Sequence, residues 1–324
     1  MRVFLLLPFL LLLPAGASAQ EVPLFDGERA FELLEHQVDL GPRDPGSEGH
    51  AACLDFLEDF LGRRAHRVSP HAFQVDDPYG EGVLRLTNLK ASFFPERRRR
   101  IALAAHWDTR PRADRQRGGA VDEPIPGAND GASGVAVLLA LSEILQERHP
   151  EGFGVDLLFF DGEDYGKEGH MEAYLLGSRR FVADHPGYRP EALILLDMVG
   201  AKGLSIPMEG NSLRYAPELT NRVFSMAADR GLDVFVPVAG RPILDDHVPF
   251  LQAGIPAVDL IDMDYRWWHT LEDAPDKCSD ESLRQVGICS APSSSRPSEP
   301  FRGGPFQAGV GGLQRLNSWA VDAS

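Results

Sequence analysis

The chain has 324 residues, of which 43% are hydrophobic and 25% are charged. This mixture is ordinary for a globular protein and is enough for one large domain or two smaller ones. The formal net charge of −16 argues against nucleic acid and anionic membrane surfaces as partners, because both repel an acidic protein.

The N-terminus has the pattern of a secretory signal peptide. One arginine precedes a leucine-rich run, and Ala17, Ser18 and Ala19 form a cleavage site of small residues. The run is too short to span a bilayer comfortably, and no later segment resembles a transmembrane helix. We therefore expect residues 1–19 to be removed, and the mature protein to be exported to the periplasm or the cell exterior without stable membrane insertion.

The three cysteines, Cys53, Cys278 and Cys289, are odd in number and widely spaced. They form neither a disulfide framework nor the paired pattern of a thiolate zinc site. We expect the hydrophobic core to hold the fold without covalent cross-links.

Helices and strands alternate along most of the mature chain. Two helical segments are predicted between residues 25 and 63, separated by turn-forming residues 41–47. Strands are then predicted at 84–89, 101–105, 155–160, 192–196, 234–238 and 257–261, and helices at 135–146, 178–184 and 217–230. This alternation predicts an α/β fold with a mostly parallel, mixed central sheet and helices on both faces.

The C-terminal segment has a different composition. Residues 279–286 have the pattern of a capped helix start, after which the apolar periodicity gives way to Ser-, Pro- and Gly-rich sequence. We predict a single catalytic domain over residues 20–287 and an atypical, disordered tail over residues 288–324. A C-terminal helix that would complete the cover of the sheet is then missing.

Polar residues follow the predicted strands at their carboxyl ends. Asp161, Glu163 and Asp164 follow the strand at 155–160, although crowded like charges repel and raise one another's pKa. The other groups are His106-Trp107-Asp108, Asn129-Asp130-Gly131, Asp197 and Trp268-His269-Thr270. Each group alone is more often structural than catalytic. Together they predict one site, because ligands of such folds bind beyond the carboxyl ends of the strands.

The residue types in these groups favour zinc. Two imidazoles with several carboxylates suit this ion. Asp108 follows His106 by two positions, so its carboxylate can accept the second imidazole N–H and fix the tautomer. Asp161 is expected to be a supporting or structural acid.

In combination these segments resemble the family 28 metallopeptidases, which include zinc aminopeptidases and their glutaminyl cyclase relatives. The resemblance runs from about residue 41 to residue 286 and rests on A-H-W-D-T-R, G-A-N-D-G-A-S-G, F-F-D-G-E-D, L-L-D-M-V-G-A, D-D-H-V-P-F and W-W-H-T. It implies a zinc-exopeptidase-like fold, a phosphorylase/hydrolase-like sandwich.

The resemblance also implies which residues bind metal. It makes Asp130, Asp164 and His269 the ligands of one zinc ion, although the family more often has glutamate at the position of Asp164. In an aminopeptidase, His106 and Asp197 would hold a second zinc, with Asp130 bridging the two ions.

The remaining implied roles concern catalysis and the substrate. Glu163 matches the general acid/base glutamate, and Asp245 matches an active-site aspartate that hydrogen-bonds near it. Trp268 and Asp197 would contact the substrate, with Trp268 lining an apolar pocket.

Three segments, D-G-E-D, D-D-H-V-P-F and L-L-D-M-V-G-A, look more like the animal-type glutaminyl cyclases and their bacterial counterparts than the aminopeptidases. The resemblance therefore implies conversion of N-terminal glutamine of peptides or proteins to pyroglutamate, with release of ammonia and one zinc. A di-zinc aminopeptidase remains the alternative. A third interpretation, an inactive binding domain, is disfavoured because every candidate ligand and the base are present.

Overall fold

The structure is a computed structural model that describes residues 25–150 and 152–291. The predicted signal peptide and the predicted tail beyond residue 291 lie outside these residues. Among the residues described, none of the helices has both the length and the apolar character needed to span a bilayer.

Two helices open the described chain, as predicted. Helix α1 (Gly27–Asp39) begins where the Asp26 carboxylate accepts the N–H of Arg29. Helix α2 (Glu48–Gly62) begins where the Ser47 hydroxyl accepts the N–H of His50. Both are N-caps, which satisfy amide groups that have no partner inside the helix.

A mixed sheet forms the centre of the fold. Within the described residues it has six strands, in the spatial order β1 (Arg67–Asp76), β2 (Val83–Phe93), β4 (Gly154–Phe160), β3 (Arg100–His106), β5 (Ala192–Asp197) and β8 (Ala257–Ile261). The last four run parallel to one another, and β1 and β2 pair antiparallel at one edge. The predicted mixed, mostly parallel sheet is confirmed. Strand β1 was not predicted, because most of its side chains are exposed or only half-buried.

The strand predicted at 234–238 lies outside this sheet, which corrects its assignment to the central series. It forms β7 (Phe235–Ala239), which pairs with β6 (Ile206–Met208) in a separate two-stranded sheet. Three of the five residues of β7 are exposed, whereas every residue of β4 and β8 is buried. A strand with so much exposed surface does not belong between two helical layers.

Helix α3 (Ala132–Glu147) packs closely on the sheet. A Cβ atom at Gly134 would lie 2.1 Å from the carbonyl oxygen of Leu196, so only glycine permits this approach. The approach holds the start of α3 against the carboxyl end of β5.

Further helices complete the layers: α4 (Leu176–Asp184), α5 (Gly210–Tyr215), α6 (Pro217–Asp229), α7 (His247–Gln252) and α8 (Asp280–Ser290). Helices α4 and α7 pack on each other and on the sheet, and α1 and α8 pack on α3. The complete burial of β4 and β8 is consistent with cover on both faces, as predicted.

The predicted absence of a final helix is wrong. Helix α8 continues through Ser290, and Val286, Ile288 and Cys289 are buried within it. Gly287 interrupts the apolar pattern in the sequence, but the ring of Phe25 packs on this glycine. The three cysteines are buried and free, as expected.

Candidate active site

The predicted site residues meet at the carboxyl edge of the parallel strands. His106 and Asp197 are the last residues of β3 and β5. Glu163 and Asp164 follow β4, Asp130 lies just before α3, and His269 lies in the loop after β8. One cavity of about 360 Å³ is lined by seven of the predicted residues: Asp130, Glu163, Asp164, Asp197, Asp245, Trp268 and His269. His106, Asp108 and Asp161 are buried and do not line it.

Asp130, Asp164 and His269 form the first cluster of candidate metal ligands. The Nε2 atom of His269 lies 3.4 Å from Oδ1 of Asp164 and 3.7 Å from Oδ2 of Asp130. Four ligands at zinc bond lengths are separated by about 3.3 Å in a tetrahedron. The Oδ2 atoms of Asp130 and Asp164 are buried and accept no hydrogen bond from the described residues. The donor types, their spacing and these unsatisfied atoms all fit a zinc ion.

His106, Asp130 and Asp197 form a second cluster that shares Asp130 with the first. The Nε2 atom of His106 lies 3.3 Å from Oδ1 of Asp130 and 3.1 Å from Oδ1 of Asp197. This spacing fits either a direct hydrogen bond between His106 and Asp197 or a second ion.

Two buried aspartates hold the turns that carry the carboxylate ligands. Asp108 accepts the N–H groups of Glu163 and Asp164, at 3.0 and 3.2 Å. Asp273 accepts those of Asn129 and Asp130, at 2.9 and 3.1 Å. The Oδ1 atom of Asp108 lies 3.7 Å from His106 Nδ1, beyond hydrogen-bond distance, so Asp108 contacts the Glu163–Asp164 turn more closely than the imidazole expected from the sequence.

Arg110 and Asp114 connect two ligands of the first cluster. Asp114 lies 3.1 Å from Nδ1 of His269 and accepts a hydrogen bond from Arg110. Arg110 also donates to Oδ1 of Asp164 at 2.6 Å, which leaves Oδ2 of that carboxylate free. A carboxylate on the far nitrogen of a metal-binding histidine fixes the tautomer in which Nε2 is the ligand atom.

Glu163 and Asp164 have opposite electrostatic surroundings. Burial, with the neighbouring charge of Asp164, raises the pKa of Glu163 well above its usual value. For Asp164, burial is outweighed by the charges of Arg110 and His269, which lower its pKa to about 2. Asp164 is therefore an anion at neutral pH, whereas Glu163 can take up and release a proton.

Asp245 lies on the wall of the same cavity. Its Oδ1 accepts the N–H of Asp246, and its Oδ2 has no hydrogen-bond donor among the described residues. Burial, with Asp197 and Asp246 nearby, raises its pKa well above the usual value. The negative charge of Asp245 contributes to the raised pKa of Glu163, so the two acids influence each other's protonation.

Trp268 and Asp161 occupy different parts of the site. The ring of Trp268 lies against that of His269, with centroids 3.9 Å apart, and forms an aromatic wall of the cavity. Asp161 is turned away from the cavity and contacts His50 at 2.9 Å and the N–H of Thr87 at 2.6 Å. This placement agrees with a structural role for Asp161.

Backbone strain is concentrated near the cavity. In the described chain, the non-glycine residues with positive φ are Phe94, Leu175, Met198 and His269. Met198 and His269 line the cavity, and Leu175 follows the lining residue Tyr174. Such conformations cost energy and are most often kept at functional sites.

Comparison with known proteins identifies the family of the chain. The model of "Peptidase family M28" matches residues 88–292, which is more than half of the chain. The chain belongs to peptidase family M28.

Family members of two kinds are similar to this chain. A glutaminyl-peptide cyclotransferase from Boiga irregularis is 30% identical over 280 residues, covering 73% of each chain. The crystal structure of a Porphyromonas gingivalis glutaminyl cyclase is 38% identical, covers 82% of this chain and 96% of its own, and gives a TM-score of 0.78. A Zn-dependent exopeptidase from Parabacteroides distasonis is 34% identical with the same TM-score, covering 83% and 97%. The fold predicted from the resemblance is confirmed.

Several residues of this M28 site were not identified from the sequence. Arg43 is fully buried and donates to the carbonyl oxygens of Pro126 and Gly127, just before Asp130. Arg110, Asp114 and Asp273 were missed as well. Arg110 is the last residue of the A-H-W-D-T-R segment, which was a possible signal for it. Arg43 and Asp273 lie far along the chain from Asp130, whose segment they support.

Proposed function

We propose that this member of peptidase family M28 is a zinc-dependent glutaminyl-peptide cyclotransferase. It converts the N-terminal glutamine of peptides and proteins to pyroglutamate and releases ammonia. The observation that carries the proposal is the cluster of Asp130, Asp164 and His269 with a buried, protonatable Glu163 in the same cavity. The similarity to glutaminyl cyclases over most of the chain favours this activity over others of the family.

Asp130, Asp164 and His269 would hold the zinc ion. Bound there, zinc supplies a Lewis acid that polarises the γ-carboxamide of the substrate glutamine. The α-amine of the same residue is the nucleophile, so proximity already favours ring closure. A bond forms between the α-nitrogen and the carboxamide carbon Cδ, and the bond from Cδ to the amide nitrogen Nε2 breaks.

Glu163 moves the proton in this proposal. Its carboxylate accepts a proton from the attacking amine and delivers it to the departing nitrogen, which leaves as ammonia. A pKa raised by burial suits a group that must both accept and donate near neutral pH. Asp245 and Asp197 steer this proton, and the ring of Trp268 packs on the apolar part of the glutamine side chain.

A di-zinc aminopeptidase is the second candidate. The two ligand clusters share Asp130, whose Oδ1 faces His106 and whose Oδ2 faces His269. A bridging carboxylate of this kind would serve two ions, and a Zn-dependent exopeptidase is among the similar structures. In that reaction Glu163 would take a proton from a water molecule that attacks the peptide bond.

The decisive experiment compares two peptides that differ only in their first residue, glutamine or leucine. A cyclase releases ammonia from the glutamine peptide and leaves the leucine peptide intact. Release of free leucine without ammonia would contradict the cyclase and support the aminopeptidase. If the zinc-loaded protein acts on neither peptide, the inactive binding domain becomes the correct interpretation. Zinc analysis adds a second measurement, with one ion per chain expected for the cyclase and two for the peptidase.

We also propose that the protein is exported through its N-terminal segment. The support is the sequence pattern of residues 1–19. Cell fractionation with N-terminal mass determination tests this proposal. An intracellular protein that retains residue 1 would contradict it.

A further inference from the structure

Residues 164–174 form a loop that contributes one wall of the catalytic cavity. Its two ends are close together, because the N–H of Leu175 donates to the carbonyl oxygen of Glu163 at 2.9 Å. Compact loops of this kind are frequently functional. Besides Asp164, four residues of the loop line the cavity: Glu168, Gly169, Met171 and Tyr174. The position of the loop therefore decides the shape of the cavity on this side.

The middle of the loop has little cover from the core. Residues 161–166 are buried, whereas residues 167–172 are all exposed. Because apolar burial is small there, the segment keeps one position only if specific contacts hold it. These contacts come from the turn between β1 and β2, which lies far from the loop in the sequence.

Tyr79, in this turn, makes most of the contacts. Its hydroxyl oxygen accepts the N–H of Lys167 at 2.6 Å. Its ring stacks with those of Tyr165 and His170, at centroid distances of 5.7 and 5.6 Å. The ammonium group of Lys167 lies 4.5 Å from the centroid of the same ring, within the range of a cation–π contact. One side chain thus contacts three residues of the loop.

Tyr79 is itself held in place from both sides. Asp77 accepts the N–H of Tyr79 at 2.9 Å and the hydroxyl of Tyr165 at 3.1 Å. Arg112 donates to the carbonyl oxygens of Tyr165 and Gly166, at 2.9 and 3.0 Å. The guanidinium carbon of Arg112 also lies 5.2 Å from the ring centroid of Tyr79. These contacts orient the Tyr79 ring before any substrate arrives.

The catalytic end of the loop is held by other groups. Asp108 accepts the N–H groups of Glu163 and Asp164, and Arg110 donates to the Asp164 carboxylate. These bonds do not involve Tyr79. A change at Tyr79 should therefore move the exposed segment and leave the proton carrier and the candidate metal ligand in place.

We infer that Tyr79 is a positioning residue, which holds residues 167–171 at the cavity so that a peptide binds against them. The inference rests on the proposed function, because the activity used to test it is cyclisation of N-terminal glutamine. A wall that contacts ground state and transition state alike contributes to KM and not to kcat. Tyr79 should therefore affect KM alone.

Two variants of Tyr79 separate its contributions. Tyr79→Ala removes the hydrogen bond and the ring contacts, whereas Tyr79→Phe removes only the hydrogen bond. Tyr215→Ala is the matched control, because Tyr215 is also half-buried and does not line the catalytic cavity. Ammonia release from one peptide with N-terminal glutamine gives KM and kcat for each protein.

Tyr79→Ala should raise KM by about tenfold and leave kcat unchanged, which is the effect of losing one hydrogen bond together with an aromatic contact. Tyr79→Phe should raise KM by only about threefold, because its ring still stacks. Tyr215→Ala should change neither constant. If Tyr79→Ala does not fold, a raised or unchanged KM in Tyr79→Phe decides.

Hydrogen exchange tests the contact without reference to catalysis. The amide of Lys167 should exchange about tenfold faster in both Tyr79 variants, because its acceptor is lost. The amides of Glu163 and Asp164 should keep their protection, which also shows that the variants are folded. An unchanged exchange rate at Lys167 would overturn the inference, whatever the activity of the protein.

The kinetic outcomes separate this inference from the proposed function. An unchanged KM in both Tyr79 variants would overturn the positioning role, and so would a fall in kcat with KM unchanged. If the unmodified protein cyclises no glutamine peptide and releases leucine instead, the proposed function is wrong. The same comparison of KM and kcat on the leucine peptide then tests Tyr79, because the loop lines the cavity in either reaction.

Discussion

Glu163 and Asp164 are adjacent in the sequence, yet the fold gives them opposite properties. Arg110 and His269 lower the pKa of Asp164 and hold it as an anion. Glu163 is buried beside the negative charge of Asp164, and both effects raise its pKa. Two carboxylates whose pKa values are driven apart can divide acid–base work from ion binding. This division explains the acidic turn after β4, which would otherwise only destabilise the strand end.

We expect Glu163→Gln to abolish catalysis while zinc stays bound. The amide keeps the size of the side chain but cannot transfer the proton, so kcat should fall by about a hundredfold or more. Ammonia release and metal content are measured on the same sample. Glu172→Gln, at an exposed position in the turn before α4, serves as the control and should keep full activity. Undiminished activity in Glu163→Gln would remove this residue from the mechanism.

Glu209 provides a pH-dependent contribution to stability. Burial alone would raise its pKa, but His247, whose Nε2 lies 3.1 Å from the carboxylate, and hydrogen bonds from Ser212 and the N–H of Asn211 outweigh it and lower the pKa to about 2. Because the folded pKa lies below the unfolded value of 4.5, the stabilisation is complete above pH 4.5 and is lost as the pH falls towards 2.

Glu209→Gln should therefore lower the free energy of unfolding by about 3 kcal/mol at pH 7 and by clearly less at pH 3. Urea denaturation of the variant and the unmodified protein at both pH values gives the two differences. Glu35→Gln, exposed in the middle of α1, should change little at either pH. An equal decrease in the free energy of unfolding at pH 3 and pH 7 would show that the charge of Glu209 does not contribute to stability.

The sequence pointed to the candidate ligands because they lie at the ends of strands, or in the loops beyond strands, that their composition makes recognisable. It did not identify Arg43, Arg110, Asp114 or Asp273, whose importance arises only when the folded chain brings them to the ligands. A buried aspartate that accepts two successive amides has no local pattern. Such supporting contacts depend on tertiary structure and cannot be read from spacing.

At the scale of elements, buried strands were predicted well and peripheral ones poorly. The apolar strands β4, β5 and β8 owe their pattern to burial, which the sequence records directly. Strand β1 is held by pairing with β2 along ten residue pairs, although its side chains are mostly exposed. Helix α8 extends beyond the predicted segment 279–286, because the ring of Phe25 packs on Gly287 where the apolar pattern is interrupted.

Gly287→Ala should destabilise the protein although alanine favours helices. Helix propensity would contribute up to about 1 kcal/mol in favour of alanine. The new Cβ, however, would lie 2.4 Å from the ring of Phe25, and overpacking of this kind costs about 1–3 kcal/mol.

Thermal unfolding compares this variant with Gly62→Ala. Gly62 is the last residue of α2, and a Cβ atom there meets nothing within 4 Å. We expect a lower Tm for Gly287→Ala and an unchanged or higher Tm for Gly62→Ala. A Tm for Gly287→Ala at or above that of the unmodified protein would contradict the packing of Phe25 on α8.

At the scale of the molecule, several acidic side chains of this acidic chain meet where the parallel strands end. Asp130, Glu163, Asp164, Asp197 and Asp245 line one cavity, and burial raises the pKa of Asp130 as well. Such a concentration of carboxylates opposes folding unless protons or cations neutralise it. A bound zinc ion would remove part of this cost.

Removal of zinc should therefore lower both activity and stability. A ligand that binds only the folded state stabilises it by mass action, so chelation should reduce Tm, and added zinc should restore Tm and activity together. Magnesium should restore neither, because it prefers an octahedral shell of oxygen ligands that a cluster with an imidazole does not provide. Full activity in protein verified to be metal-free would refute the proposed zinc requirement.

Asp108 and Asp273 each accept hydrogen bonds from two successive backbone amides, and these bonds determine when the site is assembled. Residues 129–130 and 163–164 are placed by protein hydrogen bonds when the chain folds, so the ion does not have to organise them. The metal can then leave and return without local unfolding, and reloading should be limited by diffusion and dehydration of the ion. Slow hydrogen exchange at these four amides in the metal-free protein would be the direct sign of a site built in advance.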